Sequence, residues 1–381
     1  MLNYSNNLVN SWFCKAYSPA LKILPNNNRN MKTIDQTKPV LITGGTGYMA
    51  SWIIKQLLDE GREVRTTVRN IAQKDKYAHL TKIAITSIGV LQFFEADLLH
   101  PGSFLEAMKG CELVIHTASP FKISGVKNAQ KELIEPALEG TRNVLDSVNK
   151  TDSVKRVVLT SSVVAIYGDS VDISKTESGI FTEKDWNVTS SLAHQPYGYS
   201  KTLAEHLAWE MAGKQHRWDL LVINPGFIMG PSLSTRTDST SIDLMIQLTS
   251  GKFKTGVPAG KMGFIDVRDV AKAHIKAGFT PSASGRHICV ADHKDFLDVA
   301  NVIHKQHPRF PLPKSYVPKL LFWLIAPFAG FTRKYVKLNV GIDIKFDNSY
   351  IRKDLDMEFI PFETMVSDHF TQLLNDKIIN N

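Results

Sequence analysis

The chain has 381 residues, which predicts two domains, or one large α/β domain with an addition. Apolar residues make up 43% and charged residues 22% of it, which excludes a collagen, a disordered chain and a small disulfide-rich protein. The net charge of +8 is spread along the chain without a long basic run, so we expect no nucleic-acid partner.

The three cysteines, Cys14, Cys111 and Cys289, lie far apart in the sequence and have no metal-ligand spacing. We therefore expect no metal site. Free thiols are typical of a reducing compartment, so the sequence predicts a cytoplasmic protein.

Two segments stand outside the regular pattern. Residues 1 to 30 contain no Asp or Glu, as in a transit peptide or an extension before an internal start at Met31. We expect residues 1–37 to form a poorly ordered N-terminal extension.

The most apolar stretch, Leu320 to Phe331, has about twelve residues, whereas a membrane span needs about twenty. It predicts a buried helix, or peripheral contact with a membrane, but no transmembrane span.

From Pro39 onward, short β-branched or apolar runs alternate with longer amphipathic segments. This alternation predicts a doubly wound parallel sheet, the Rossmann type of α/β fold. The predicted strands are Val40–Thr43, Glu63–Val68, Val90–Ala96, Glu112–Ala118, Val154–Ser161 and Asp219–Pro225. The predicted crossover helices include Met49–Asp59, Gln130–Asn149 and Tyr197–Met211.

The alternation weakens after Pro225. Further on, a strand end entering a helix is predicted at Phe264–Gly278, a strand at His287–Val290 and a helix at Asp295–His304. We assign residues 38–226 to an NAD(P)-binding domain, to which residues 262–292 return. Residues 227–261 and 293–381 are assigned to a smaller C-terminal substrate-binding region over the carboxyl edge of the sheet, where such folds bind ligands.

The first predicted strand ends in a glycine-rich turn, Gly44-Gly45-Thr46-Gly47, and a helical segment follows at once. In this strand–turn–helix context, backbone N–H groups at the helix N-terminus hold a pyrophosphate. The spacing is G-x-x-G-x-x-A, with Ala50 at the position of close packing. The turn therefore predicts a dinucleotide cofactor.

Arg69 follows the second predicted strand, where an acidic residue would accept hydrogen bonds from the adenosine ribose. A guanidinium group instead suits a 2′-phosphate. The sequence thus favours NADP(H) over NAD(H). Lys74 and Lys76 could strengthen this site or be solvated surface charges.

Tyr197 and Lys201 are four residues apart in a segment with strong helical character. That spacing predicts that Lys201 lies beside the phenol and lowers its pKa, which would make Tyr197 a usable acid near neutral pH. The fifth predicted strand ends in Ser161 and Ser162. Either hydroxyl could polarise a substrate carbonyl, and either could cap a turn.

Together these segments resemble the extended short-chain dehydrogenase/reductase superfamily, and most nearly its dihydroflavonol 4-reductase, cinnamoyl-CoA reductase and aldehyde (ketone) reductase group. The resemblance extends from Pro39 to about Val290. In family order, it rests on PVLITGGTGYMASWIIKQLL, TTVRN, FFEADL, VIHTASP, EGTRNVL, VKRVVLTSSVVAIYG, YGYSKTLAE, INPGFIMGP and FIDVRDVAKAHI.

The resemblance implies a catalytic triad of Ser162, Tyr197 and Lys201. Tyr197 would protonate the carbonyl oxygen, Ser162 would polarise it, and Lys201 would bind the nicotinamide ribose. The implied cofactor-binding residues are Gly44, Gly47, Tyr48 and Met49 at the pyrophosphate, Arg69 and Lys76 at the 2′-phosphate, Asp97 and Leu98 beside adenine, Ala118 and Ser119 at the nicotinamide ribose, and Pro225, Gly226 and Phe227 beside the nicotinamide. From the residues alone, Asp97 could instead cap a helix over Leu98–Met108.

The stretch Phe121-Lys122-Ile123-Ser124 departs from the polar pattern associated with flavonoid recognition. This departure argues against a flavonoid substrate. The resemblance implies an NAD(P)-dependent oxidoreductase that acts on CH–OH groups, and we predict an NADPH-dependent carbonyl reductase that interconverts an aldehyde or ketone and its alcohol. One alternative is a 3β-hydroxysteroid or sterol-type dehydrogenase, and another is a sugar-nucleotide epimerase. A third is a non-catalytic NADP-sensing protein. The sequence does not indicate whether the protein is a monomer or an oligomer.

Overall fold

The computed structural model describes residues 31–119 and 126–379. Cys14 and the rest of residues 1–30, and the Phe121–Ser124 stretch, lie outside the described residues. From Lys32 onward the chain forms one compact unit. Ile34 is 5% exposed and packs in the hydrophobic core, so residues just before the assigned NAD(P)-binding domain already contact it.

The strands are β1 (Val40–Thr43), β2 (Glu63–Val68), β3 (Val90–Glu95), β4 (Leu113–His116), β5 (Arg156–Thr160), β6 (Asp219–Pro225), β7 (Phe227–Met229), β8 (Met262–Asp266), β9 (Gly285–Cys289) and β10 (Asp292–Lys294). Seven of them form a parallel sheet in the order β3-β2-β1-β4-β5-β6-β9. The predicted doubly wound parallel sheet is confirmed.

The helices are α1 (Tyr48–Asp59), α2 (Ala78–Thr86), α3 (Leu105–Met108), α4 (Glu135–Asn149), α5 (Pro196–Gly213), α6 (Thr240–Thr249), α7 (Val267–Phe279), α8 (Phe296–Gln306), α9 (Lys319–Ile325), α10 (Arg333–Asn339), α11 (Ser349–Asp354) and α12 (Phe362–Asn375). A π-helical segment, Gln130–Ile134, leads into α4. None of the helices in the described part of the chain has both the length and the apolar character needed to cross a membrane.

The strand order reverses between β1 and β4, and this switch point positions the site. Every residue of both strands is buried, because helices cover the two faces of the sheet there. The crevice outside the carboxyl ends of these strands is where doubly wound sheets bind ligands.

A second sheet has the order β10-β8-β7 and lies in the C-terminal part of the fold. Its central ring, Phe264, is fully buried and contacts Phe227 and Phe362 at centroid distances of 5.5 Å. Within the segment 262–292, β8 belongs to this small sheet, whereas β9 pairs with β6 in the large one.

Candidate active site

The turn after β1 requires glycine at two successive positions. Gly44 has a φ of +70°, and a Cβ placed there would lie 2.9 Å from the Cβ of Ala118. A Cβ on Gly45 would lie 2.0 Å from Oγ1 of Thr66. The absence of side chains therefore lets this turn lie close to Ala118 after β4 and to Thr66 in β2, directly before the N-terminus of α1.

A hydrogen-bonded histidine lies beneath this crevice. Oγ1 of Thr43 accepts the backbone N–H groups of Thr117 (3.2 Å) and Ala118 (3.1 Å), so its own proton goes to Nδ1 of His116 at 2.9 Å. This geometry assigns the neutral tautomer with the proton on Nε2. Burial and the nearby Lys201 lower the pKa of His116 to about 3, so the ring carries no charge at neutral pH.

The side chains at the start of α1 have partners within the protein. The phenol of Tyr48 donates a hydrogen bond to the carbonyl of Gly230, and Nε1 of Trp52 donates one to the carbonyl of Pro231 at 2.7 Å. Met49 packs against the core of the large sheet. The side chains of the predicted residues Tyr48 and Met49 therefore contact the protein itself, at Gly230 and in the core.

The predicted 2′-phosphate residues are both on the surface. Arg69 directly follows β2 and is exposed, and Lys76 lies in the short 3₁₀ turn Lys74–Tyr77, also exposed. Arg69 thus lies at the same carboxyl edge as the glycine turn, and both cations are accessible.

Asp97 does not begin a helix. Its Oδ1 accepts the backbone N–H of Leu99 at 2.8 Å, and the helix in this region is limited to Leu105–Met108. The alternative reading, a helix over Leu98–Met108 capped by Asp97, is therefore wrong. Leu98 instead packs over Gly140. A Cβ placed on Gly140 would lie 3.2 Å from the Cβ of Leu98.

The segment after Ser162 packs against the first turn of α5. A Cβ on Gly198 would lie 3.3 Å from Nδ2 of Asn187 and 3.6 Å from the carbonyl oxygen of Val164. That amide also donates to Val164 at 2.7 Å. A glycine next to Tyr197 therefore allows the serine-bearing segment to lie close to the helix turn that carries the tyrosine.

The electrostatics of the tyrosine and lysine differ from the sequence-based expectation. Burial raises the pKa of Tyr197, so the expected lowering of that pKa is not found. Burial also lowers the pKa of Lys201 to about 8, while the charge of Glu205 acts in the opposite direction. Nζ of Lys201 donates a hydrogen bond to Oγ of Ser119 at 3.2 Å.

The two serines after β5 have different partners. Oγ of Ser161 donates a buried hydrogen bond of 2.5 Å to Oε2 of Glu205. Oγ of Ser162 accepts the N–H of Val164 at 3.3 Å, which leaves its own proton available. Of this pair, Ser162 is therefore the serine that can donate to a ligand.

Glu205 belongs to a buried network that the sequence analysis missed. Its Oε1 lies 2.6 Å from Nε of Arg286, and the two residues are 1% and 3% exposed. Nδ2 of Asn224 donates both to Oε2 of Glu205 (2.9 Å) and to the carbonyl of Ser162 (3.1 Å). Tyr197, Lys201 and Glu205 repeat every fourth residue of one helix, and this spacing is the signal that could have identified Glu205.

A small cavity of about 20 Å³ brings several predicted residues together, with room for about one water molecule. It is lined by Leu98, Ala118, Ser119 and Lys201 from the predicted set, and by His116 and Glu205 from outside it. The candidate serine Ser161 also lines it, whereas Ser162 and Tyr197 do not.

Gly226 begins the segment that leads from β6 into the C-terminal part. Its N–H donates to the carbonyl of Cys289 at 3.0 Å, and a Cβ there would lie 2.4 Å from the carbonyl oxygen of Gly263. Pro225 is buried, and the ring of Phe227 packs against aromatic rings of the second sheet. In the described residues, no group of three or more His, Cys, Asp or Glu side chains could hold a metal ion.

Residues 40–291 match the model of the NAD dependent epimerase/dehydratase family. The chain belongs to this family. It is 40% identical over 289 residues to a cinnamoyl-CoA reductase (CAD2) of Medicago truncatula, covering 73% of this chain and 86% of that one. It is 35% identical over 344 residues to tetraketide alpha-pyrone reductase 1 of Arabidopsis thaliana, covering 90% and 97%.

Among solved structures, the fold is similar to Gre2 of Candida albicans in complex with NADPH. The TM-score is 0.71 and the identity 28%, and the match covers 89% of this chain and 99% of that one. The predicted resemblance to extended short-chain reductases of the dihydroflavonol reductase type is confirmed, and this family member is an NAD(P)-dependent oxidoreductase.

Proposed function

We propose that the protein is an NADPH-dependent reductase that converts an aldehyde or ketone to its alcohol. The observation that carries this proposal is the first part of α5, where Tyr197 and Lys201 are one helical turn apart. The segment of Ser162 packs against the same turn at the carboxyl edge of the sheet. A phenol, an ammonium group and a hydroxyl at this edge are the groups that carbonyl reduction needs.

The residues present fit a dinucleotide phosphate. The turn at Gly44 and Gly45 has no room for side chains, so backbone N–H groups can approach a pyrophosphate closely. The accessible cations Arg69 and Lys76 would bind a 2′-phosphate, and Ser119 with Lys201 would bind the nicotinamide ribose. The NADPH complex of the similar reductase Gre2 supports the same choice of cofactor.

When bound, NADPH supplies the hydride. Because burial raises the pKa of Tyr197, its phenol holds its proton at neutral pH, which is the protonation state that reduction requires. Ser162 donates a hydrogen bond to the carbonyl oxygen as negative charge develops there. With a pKa of about 8, Lys201 is mostly protonated at neutral pH, so its charge stabilises the phenolate formed once Tyr197 has given up its proton.

The test is Tyr197→Phe, which removes one hydroxyl group and keeps the ring. Carbonyl-dependent oxidation of NADPH should fall by about 10²-fold or more, because the proton donor is lost, while NADPH binding measured by calorimetry should remain. The matched control is Tyr350→Phe, because that phenol donates to the carbonyl of Ser284 at the opposite edge of the sheet. Retained turnover in Tyr197→Phe would refute the assignment.

A further inference from the structure

Helix α9 and the turn after it expose an unusual amount of apolar side chain. The ring of Phe328 is 94% exposed and Leu320 is 72% exposed. We call the apolar patch the set of exposed side chains Leu320, Leu321, Leu324, Ile325, Phe328 and Phe331. Contiguous exposed apolar groups of this kind mark an interaction surface.

The patch belongs to an ordered part of the fold. Phe322 and Ala326, on the inner side of α9, are buried against Val336 and Val340. The opposite side of the same helix presents leucine and isoleucine side chains outward at positions i, i+1, i+4 and i+5. The polar side that a surface helix normally turns to water is therefore replaced by an apolar one.

The stretch of chain that forms the patch and its flanks contains basic residues but no acidic ones. No Asp or Glu occurs between Pro311 and Ile342, whereas this stretch contains five basic residues. All five are exposed and form no ion pair with the described residues: Lys314, Lys319, Arg333, Lys334 and Lys337. The guanidinium group of Arg333 lies 4.4 Å from the ring centre of Trp323, so it is held at the border of the patch.

Acidic side chains from other segments lie beside this stretch, among them Asp295, which accepts the phenol of Tyr316 at 2.7 Å. Asp343 accepts the backbone N–H of Lys261 at 2.9 Å. In the 3₁₀ segment that packs against α10, Asp172 pairs with Lys175 at 2.7 Å. Asp169, directly before that segment, is 2% exposed. None of these carboxylates forms an ion pair with the five basic residues, which therefore outnumber the exposed acidic side chains named here.

We propose that α9 and the turn through Phe331 dock on an anionic lipid surface. An apolar face bordered by cations and an aromatic ring matches acyl chains below a layer of anionic headgroups. A second copy of this chain would instead bring two sets of like charges together. α9 has seven residues, so it would lie in the interface and bind reversibly. This inference is independent of the proposed reductase activity.

The experiment is co-sedimentation of the full chain with vesicles. Vesicles of phosphatidylserine and phosphatidylcholine should bind it, vesicles of phosphatidylcholine alone should bind much less, and added salt should weaken binding. The double variant Leu324→Ser/Phe328→Ser should lower the partition constant at least about tenfold, because it removes apolar groups from the interface. The control Ile85→Ser/Ile88→Ser alters two exposed apolar residues outside the patch, at 79% and 80%, and should bind as the parent does.

A second variant tests the basic residues separately from the apolar patch. Lys334→Glu/Lys337→Glu should reduce binding to the anionic vesicles and leave thermal unfolding unchanged, since both side chains are exposed. Equal binding by the patch variant and the parent would overturn the proposal. It would also be overturned by a dimer that the patch variant abolishes, or by loss of reductase turnover on a water-soluble carbonyl in that variant.

Discussion

The clearest consequence of the buried network concerns the variant Glu205→Gln. Gln keeps the shape of the side chain but removes the negative charge one turn from Lys201 and beside Arg286. Two charges about 6 Å apart interact by about 2.8 kcal/mol at an effective dielectric constant of about 20, which corresponds to roughly two pKa units. The positive charge of Arg286 offsets part of this effect in the parent protein.

We therefore expect the variant to lower the pKa of Lys201 from its value of about 8 by roughly one pH unit or more. Since turnover needs the ammonium form, the basic limb of the kcat/KM profile should move to lower pH by the same amount. The assay is carbonyl-dependent NADPH oxidation over the pH range in which the variant stays folded.

Two matched variants give the prediction its controls. Glu205→Asp keeps the charge and should keep the limb close to that of the parent. Glu210→Gln removes an exposed carboxylate from the same helix, where it pairs with Lys214, and should leave the profile unchanged. The reasoning is wrong if the limb of a folded Glu205→Gln protein coincides with that of the parent.

Substitution of Ser161 should affect stability, whereas substitution of Ser162 should affect turnover. Ser161→Ala should reduce the free energy of unfolding by about 1–3 kcal/mol in urea, because it removes a donor from a buried carboxylate. Ser162→Ala should instead lower kcat by about 10²-fold with little change in unfolding, and equal behaviour of the two variants would contradict the assignment. Arg69→Glu should raise the KM for NADPH far more than that for NADH, since it places a carboxylate against the 2′-phosphate; equal increases would show that the residue does not contact this phosphate.

Strands were predicted well from the sequence where a β-branched or apolar run is short. β1, β2 and β6 have the predicted bounds Val40–Thr43, Glu63–Val68 and Asp219–Pro225. In each case the run is long enough for a strand and too short for a helix, so little competes with the interpretation.

Prediction failed where helix-breaking residues interrupt an amphipathic stretch. The amphipathic stretch Leu98–Met108 is helical only from Leu105, because Pro101 is followed by Gly102 with a φ of +79°. A proline and a glycine in the left-handed region interrupt the helix that the apolar pattern would otherwise favour.

For the site, the sequence shows spacing along one element but not charge contacts between elements. Tyr197 and Lys201 share α5, so their spacing identifies them. Glu205, Asn224 and Arg286 come together from α5, β6 and β9, so no local pattern joins them. The raised pKa of Tyr197 likewise depends on burial, which only the folded chain determines.

The attachment of α1 to the chain after β7 has a consequence for how the family diversifies. Tyr48 and Trp52 donate hydrogen bonds to the carbonyl groups of Gly230 and Pro231. These acceptors are main-chain atoms, which every residue type supplies. Gly230 itself is held to glycine by its φ of +118°, but neither hydrogen bond requires a particular side chain in this segment. Other substitutions in the segment after β7 therefore need not weaken its attachment to α1.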